Sequence, residues 1–214
     1  MFDAKRLLDE LVGSGVAGGF AGGLAGGALA NVLTGKKGRK LAGSALQIGG
    51  LALVGGLAYK AWQSYQQGAT QQASAGGFAP PPTGAFLPPP GDTAGTTALS
   101  LLLARAIIAA AKADGQIDAK ESQAILNQIN ALDLPAEDKG FLFEEYGRPL
   151  DIEALVRDVD SPEHAAEVYA ASLLIVDPPS PPERIYLDGL ASALGLEAGL
   201  VTQIHDTVAA SRSG

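Results

Sequence analysis

From Leu11 to Gly35 the chain carries no charged side chain, and from Leu41 to Tyr59 there is again none. A helix needs about 20 predominantly apolar residues to cross the hydrocarbon core of a bilayer. Residues 11–35 and 41–59 are therefore candidate spans, joined by the basic turn Lys36-Lys37-Gly38-Arg39-Lys40. The first contains a strict four-residue repeat: Val16 to Gly19, Phe20 to Gly23 and Leu24 to Gly27 each read apolar-Ala-Gly-Gly. On a helix this period places Gly15, Gly19, Gly23 and Gly27 in one column and Gly18, Gly22 and Gly26 in the next. Without Cβ atoms two backbones can approach closely and gain contacts that lipid cannot match. The columns are thus expected to pack against another helix, either the second stretch, through Gly43, Gly50, Gly55 and Gly56, or a second copy of the chain.

The second stretch ends in Tyr59, Lys60, Trp62 and Tyr65, the amphipathic residues expected at a headgroup boundary. Ala28-Leu29-Ala30 has the small-x-small form of a signal cleavage site, but Asp3, Asp9 and Glu10 are not a cationic leader. The basic turn sets orientation. Kept on the cytoplasmic side by the positive-inside rule, it sends the chain beyond Lys60 to the opposite, extracytoplasmic face.

Residues 63–97 change to Gln, Ala, Gly and Pro, with Pro80 to Pro82 and Pro88 to Pro90 as triple-proline blocks. This composition lacks the apolar periodicity that repays ordering entropy, and predicts an unstructured tether with locally stiff polyproline. Charge divides the chain at the same place. Residues 1–60 hold seven Lys/Arg against three Asp/Glu, whereas 98–214 hold eight against nineteen. An acidic soluble part argues against nucleic acid, which needs a basic face, and favours cations or basic partners. With no cysteine, thiolate metal sites, disulfides and cysteine nucleophiles are excluded.

From Ala98 onward apolar positions recur at helical spacing. The predicted helices are 98–113, 119–132, 135–146, 151–159, 162–176, 181–194 and 197–210. Ser161-Pro162-Glu163 supplies a cap, a proline at the first helical position and an acid in the first turn, while Gly147, Pro149 and Gly195 mark stops. The expected organisation is all-α: a Gly-rich membrane hairpin of one or two spans in 1–62, a linker in 63–97, and an acidic bundle of about seven helices in 98–214. Glu121 and Glu183 are each followed at the same spacing by a Leu-x-Leu, at 132/134 and 194/196. This echo divides the bundle into two helix–loop–helix halves.

Asp114-Gly115-Gln116-Ile117-Asp118 leading to Glu121 matches the second half of a calcium loop, but Ala110 and Lys112 fall where its first ligands belong, so it is not an EF-hand. Three carboxylates round one turn can hold a divalent cation if a second segment adds oxygens, and Asp177 and Glu183 are the symmetry-related candidates. Oxygen ligands favour calcium or magnesium. The structural alternative is that Asp118 and Glu121 only support the helix starting at Ala119.

The Gly-rich N-terminus, Ala113 to Glu121, and Pro182 to Leu196 together resemble the YebE-like bacterial inner-membrane proteins, a family of uncharacterised function, with a C-terminal domain similar to the tellurite-resistance TerB fold. The resemblance implies a two-halved helical bundle with an acidic metal site at Asp114, Asp118 and Glu121. The proline-filled second turn lacks counterparts of Gly115 and Asp118, which departs from paired metal sites. Fold does not carry tellurite resistance with it.

No GxSxG, Walker, HExxH or dinucleotide motif is present. His164 and His205 read as packing or surface residues, and the acids at 144–145 and 151–167 as solvated helix faces. The expected activity is non-enzymatic: a membrane-anchored binding or sensing module, responsive to a cation or an unknown protein partner. The alternative is a scaffold in which the glycine columns assemble an oligomer in the lipid bilayer.

Overall fold

The computed structural model describes residues 3–13, 49–68, 84–113, 130, 134–176 and 179–213. Among these the chain forms eight helices and no strand: α1 (Ala4–Gly13), α2 (Gly50–Gln66), α3 (Thr93–Ala111), α4 (Ala136–Gly147), α5 (Ile152–Arg157), α6 (Pro162–Val176), α7 (Pro181–Ala193) and α8 (Ala198–Ser213). The all-α expectation holds. The predicted helix over 119–132 lies outside the described residues apart from Asn130.

α3 and α6 form the central pair. α1 lies on α3 and α2; α2 and α8 cover one side of α6; α7 packs on α6, α5 and α3, with α4 and α5 against α3. The composition of α3 explains its place. Leu99, Leu102, Leu103, Ala104, Ala106, Ile107 and Ile108 are all buried, because a helix apolar all round needs protein or lipid on every side. By length and composition α3, with mean hydropathy 1.6, is also able to cross a membrane, though the bundle takes up over half of it. Small residues let α6 come close on the other flank. Ala165, Ala166, Ala170 and Ala171 are buried, and the Ser172 hydroxyl reaches the Ala106 carbonyl at 3.3 Å.

The local chemistry fixes the helix ends. Asp3 accepts the Arg6 N–H at 3.0 Å to start α1, and Asp92 accepts the Gly95 N–H at 2.9 Å to start α3. Ser161 Oγ accepts the His164 N–H at 3.1 Å, as the Ser-Pro-Glu sequence predicts. Gly195, at φ +65°, takes the left-handed conformation just past the end of α7. At the other end of α3, Lys112 is driven into the C-terminus of α4. Its ammonium donates to the Glu145 carbonyl at 3.2 Å and to the Arg148 carbonyl, satisfying helix-end acceptors that have no partner within α4.

Two features depart from the sequence reading. Residues 50–59 of the second candidate span pack inside the bundle: Leu51, Leu53, Val54, Leu57 and Ala58 are buried against neighbouring helices. Residues 41–48 of that span lie outside the described residues. The stretch expected as a tether also contributes structure at both ends. α2 runs on to Gln66, Phe86 is 3% exposed, and α3 begins five residues before Ala98. The reason at Phe86 is aromatic: its ring meets Tyr59 and Trp62 edge-on, with centroids 5.4 and 6.0 Å away.

α1 is joined to the same core. Leu7, Leu8 and Leu11 are fully buried on its inner face. Asp9 Oδ1 accepts the Gly50 N–H at 2.6 Å and so caps α2, whose own N-cap residue, Gly49, has no side chain to do so. Asp3 in turn donates its N–H to Asp138 Oδ1 at 3.2 Å, on α4. Leu8→Ala should lower the unfolding free energy of the full-length protein by about 2–5 kcal/mol, the range for a buried leucine. Denaturant unfolding checks this; an unchanged midpoint would mean that α1 is not part of the cooperative core.

Candidate functional site

Where α2 ends, its aromatic residues meet two helix corners and leave a cleft of about 420 Å³. Trp62 and Tyr65 form one wall. Val159 to Ala165, at the entry to α6, and Leu194 to Leu200, at the turn from α7 to α8, form the others. The floor is apolar, with Leu200 and Ala165 buried, and the rim carries Asp160 and Glu197.

The geometry at the mouth follows from close packing of α2 on α8. A Cβ at Gly199 would stand 3.0 Å from the Tyr65 ring, and that approach lets the Tyr65 hydroxyl donate to Glu197 Oε2 at 2.5 Å. The bond to the carboxylate, assisted by desolvation and the same negative charge, raises the Tyr65 pKa. Across the cleft Asp160 Oδ1 lies 2.5 Å from His164 Nδ1. Neither rim acid meets a lysine or arginine among the described residues, so the cleft presents two carboxylates over an apolar floor.

Ser161, His164 and Asp160 are the residue types of a nucleophilic relay, but they are arranged otherwise. The Ser161 hydroxyl caps α6, and His164 Nε2 faces Glu167 at 3.9 Å. The second histidine, His205, places Nε2 3.0 Å from the Tyr169 hydroxyl, whose pKa burial and then Asp188 push up to about 12. A smaller cleft of about 220 Å³ near Arg105 and Arg148 is internally paired. Arg105 bridges Asp158 at 2.9 Å and Glu145 at 3.6 Å, and Arg148 holds Glu144 and Glu145. Glu145, expected on a solvated face, is thus drawn inward by two arginines.

Of the sites expected from sequence, Asp114, Asp118, Glu121 and Asp177 lie outside the described residues, as do Gly15, Gly18, Gly19, Gly22, Gly23, Gly26 and Gly27. Glu183 is described, and serves α7. Its Oε2 accepts the Ser180 N–H at 2.6 Å while its own N–H faces Ser180 Oγ at 3.5 Å, a reciprocal capping box. Among the described residues no three His, Asp or Glu are grouped so as to hold a metal ion. Tyr59, Trp62 and Tyr65, expected at a headgroup boundary, meet Phe86 and Glu197 in the bundle.

Glu167, expected among the solvated acids of 151–167, is instead enclosed by the bundle, and Asp138 is a buried acid that the sequence did not single out. Asp138 and Glu167 are both 0% exposed, and burial raises both carboxyl pKa values, that of Glu167 well above the ordinary range. The signal for Glu167 is its setting, Ala165-Ala166-Glu167-Val168-Tyr169-Ala170-Ala171: a helix with so few polar positions is enclosed, and an acid within it is enclosed with it.

The chain belongs to the DUF533 family, a protein family of unknown function, whose pattern matches residues 18–208. An uncharacterized protein encoded in the ampR 5′ region of Yersinia enterocolitica is 32% identical over 92 residues, which is 43% of this chain and 66% of that relative, just under two thirds of its length. No solved structure matches.

Ser180→Ala should cost about 1 kcal/mol of stability through loss of the α7 cap. Thermal unfolding with and without calcium checks this. The same loss in both conditions is expected; a loss confined to the calcium-loaded protein would mean that Glu183 serves an ion and not the cap.

Proposed function

We propose that this protein is a membrane-associated, non-enzymatic binding module whose acidic cleft receives a basic, apolar peptide segment of a partner protein. The observation that carries the reading is the cleft itself: Trp62 and Leu200 offer apolar surface, and Asp160 and Glu197 stand at the rim with no lysine or arginine partner among the described residues, Asp160 facing His164 and Glu197 accepting from Tyr65. Apolar anchors give such a site its affinity, and rim charge selects the sign of the ligand. The helical order supports a TerB-like reading of the C-terminal half. A divalent cation at the Asp114 turn and self-association through the glycine columns belong to the same proposal as further properties of the full chain.

Trp62 is the single tryptophan of the chain, so its emission reports the cleft directly. Titration of the full-length protein with two amphipathic peptides, alike except that one carries Lys where the other carries Glu, should give a saturable blue shift for the Lys peptide only. Asp160→Asn with Glu197→Gln should weaken it about tenfold. Indistinguishable peptides, or no saturable change, would refute the cleft as a binding site.

The membrane part of the proposal takes its geometry from α1 and α2. Residues 13 and 49 end and begin segments that meet at the Asp9–Gly50 hydrogen bond, so the segment between them leaves and returns to one bundle. Eight residues separate Lys40 from Gly49, about 12 Å as a helix, against a core about 30 Å thick. A stretch that short, if helical, does not cross the bilayer, which supports a basic block on the same face as the bundle. The positive-inside rule then gives the cytoplasmic face, in place of the opposite-side position that a crossing by 41–59 would produce. The chain has no cysteine, so the single substitutions Glu10→Cys, Gly38→Cys and Ser211→Cys can be tested with an impermeant maleimide in oriented vesicles. All three should react from the same side; reaction of the Gly38→Cys protein from the other side alone would overturn this topology.

A further inference from the structure

Glu167 sits at the contact between α2 and α6 with neither carboxyl oxygen hydrogen-bonded, a costly arrangement for a charged acid and a tolerable one for a neutral acid. The niche is formed around it. A Cβ on Gly55 of α2 would stand 2.9 Å from Glu167 Oε1, 3.3 Å from Leu87 Cδ2 and 3.5 Å from the Phe86 carbonyl oxygen. Helix α2, the acid and the strap of residues 84–88 therefore meet at one point, and only a glycine leaves room for all three.

The groups that face the carboxyl divide by element. From its own helix come Glu163, whose negative charge opposes ionisation, and His164, with Nε2 3.9 Å from Oε2 and Nδ1 held by Asp160. From α2 comes the bare Gly55, whose Cβ position is shared by the carboxyl and by the strap, 3.3 Å from a Leu87 methyl and 3.5 Å from the Phe86 carbonyl oxygen.

We propose that Glu167 is a proton-operated latch, closed when the acid is neutral and α2 and the Phe86–Leu87 strap lie against α6, and released when it ionises. Burial, with Glu163 adding to it, holds the pKa well above the ordinary carboxyl value of 4.5. Between the unfolded and folded values the folded state binds the extra proton, so the stability of the closed form falls as pH rises above the ordinary glutamate range. Because the Phe86 ring meets Trp62 edge-on, release of the strap remodels a wall of the cleft. The latch itself stands whether or not the cleft binds a peptide.

The test tracks Trp62 emission and the thermal midpoint of the full-length protein from pH 4 to 9, in wild type, Glu167→Gln, Glu163→Gln and His164→Gln. The wild type should lose at least about 2 °C of midpoint relative to Glu167→Gln as pH rises, with a red shift of Trp62, while Glu167→Gln, fixed in the neutral shape, shows neither change. Glu163→Gln, altering a half-buried neighbour, should move the wild-type transition to lower pH, and decides the matter should Glu167→Gln fail to fold. His164→Gln should retain a transition. A transition unchanged in Glu167→Gln, unmoved in Glu163→Gln or abolished in His164→Gln would overturn the latch, as would a flat wild-type profile.

Discussion

Gly50 and Gly55, on different sides of α2, set how closely two other helices can approach it. A Cβ at Gly50 would stand 3.0 Å from the Leu8 carbonyl oxygen on α1, and one at Gly55 would press on Glu167 of α6. On α8 the small residue is the partner's, Gly199 against Tyr65. Each glycine within a helix costs about 1 kcal/mol relative to alanine. The leucines carried on the same helix offset that, at about 1.5–3 kcal/mol for each fully buried side chain. Close approach is what permits them to be buried, so the glycines and the leucines of α2 work as one device.

From that packing comes a core assembled across the length of the chain. α1 and α2 are sealed to each other by the Asp9–Gly50 hydrogen bond and to the rest by Leu7, Leu8, Leu11 and Leu57, all buried in one continuous cluster. Residues 98–214 alone would present α3 and α6 with the faces that α1 and α2 cover stripped bare.

The helices of the acidic half were legible because their information is local. Ser161-Pro162-Glu163 and Gly195 each act within one turn of the residue they start or terminate, and so does Ser180 with Glu183, a cap hidden in sequence by the reading of Glu183 as a metal ligand. What was not legible was the environment of apolar helices. The uncharged run Leu41 to Tyr59 reads the same whether lipid or protein surrounds it, and α3 passes the length and hydropathy test for a span while lying in the core. Periodicity cannot distinguish the two solvents. The cleft escaped for a related reason: Trp62, Asp160 and Glu197 lie far apart in sequence, and only the docking of α2 on α8 brings them together. Phe86 was hidden by its company, a single ring in a proline- and glycine-rich stretch whose composition speaks for the whole and not for the one residue that finds a partner.

Trp62 belongs to two structures at once, and this links the acidic cleft to the buried acid. Its ring is a wall of the cleft and, edge-on, a support for Phe86. The Phe86 carbonyl and Leu87 then close the niche over Gly55 and Glu167. Any ligand that uses the Trp62 surface must accept the position that the strap gives it, and any change of charge at Glu167 acts on that strap first. The influence is reciprocal by thermodynamic necessity: an occupant that prefers the closed strap raises the proton affinity of Glu167 by the same factor by which the proton raises its own. The distance between the two sites is spanned by packed rings and one backbone segment, which makes the coupling a property of contacts already present in the bundle and not of a separate pathway.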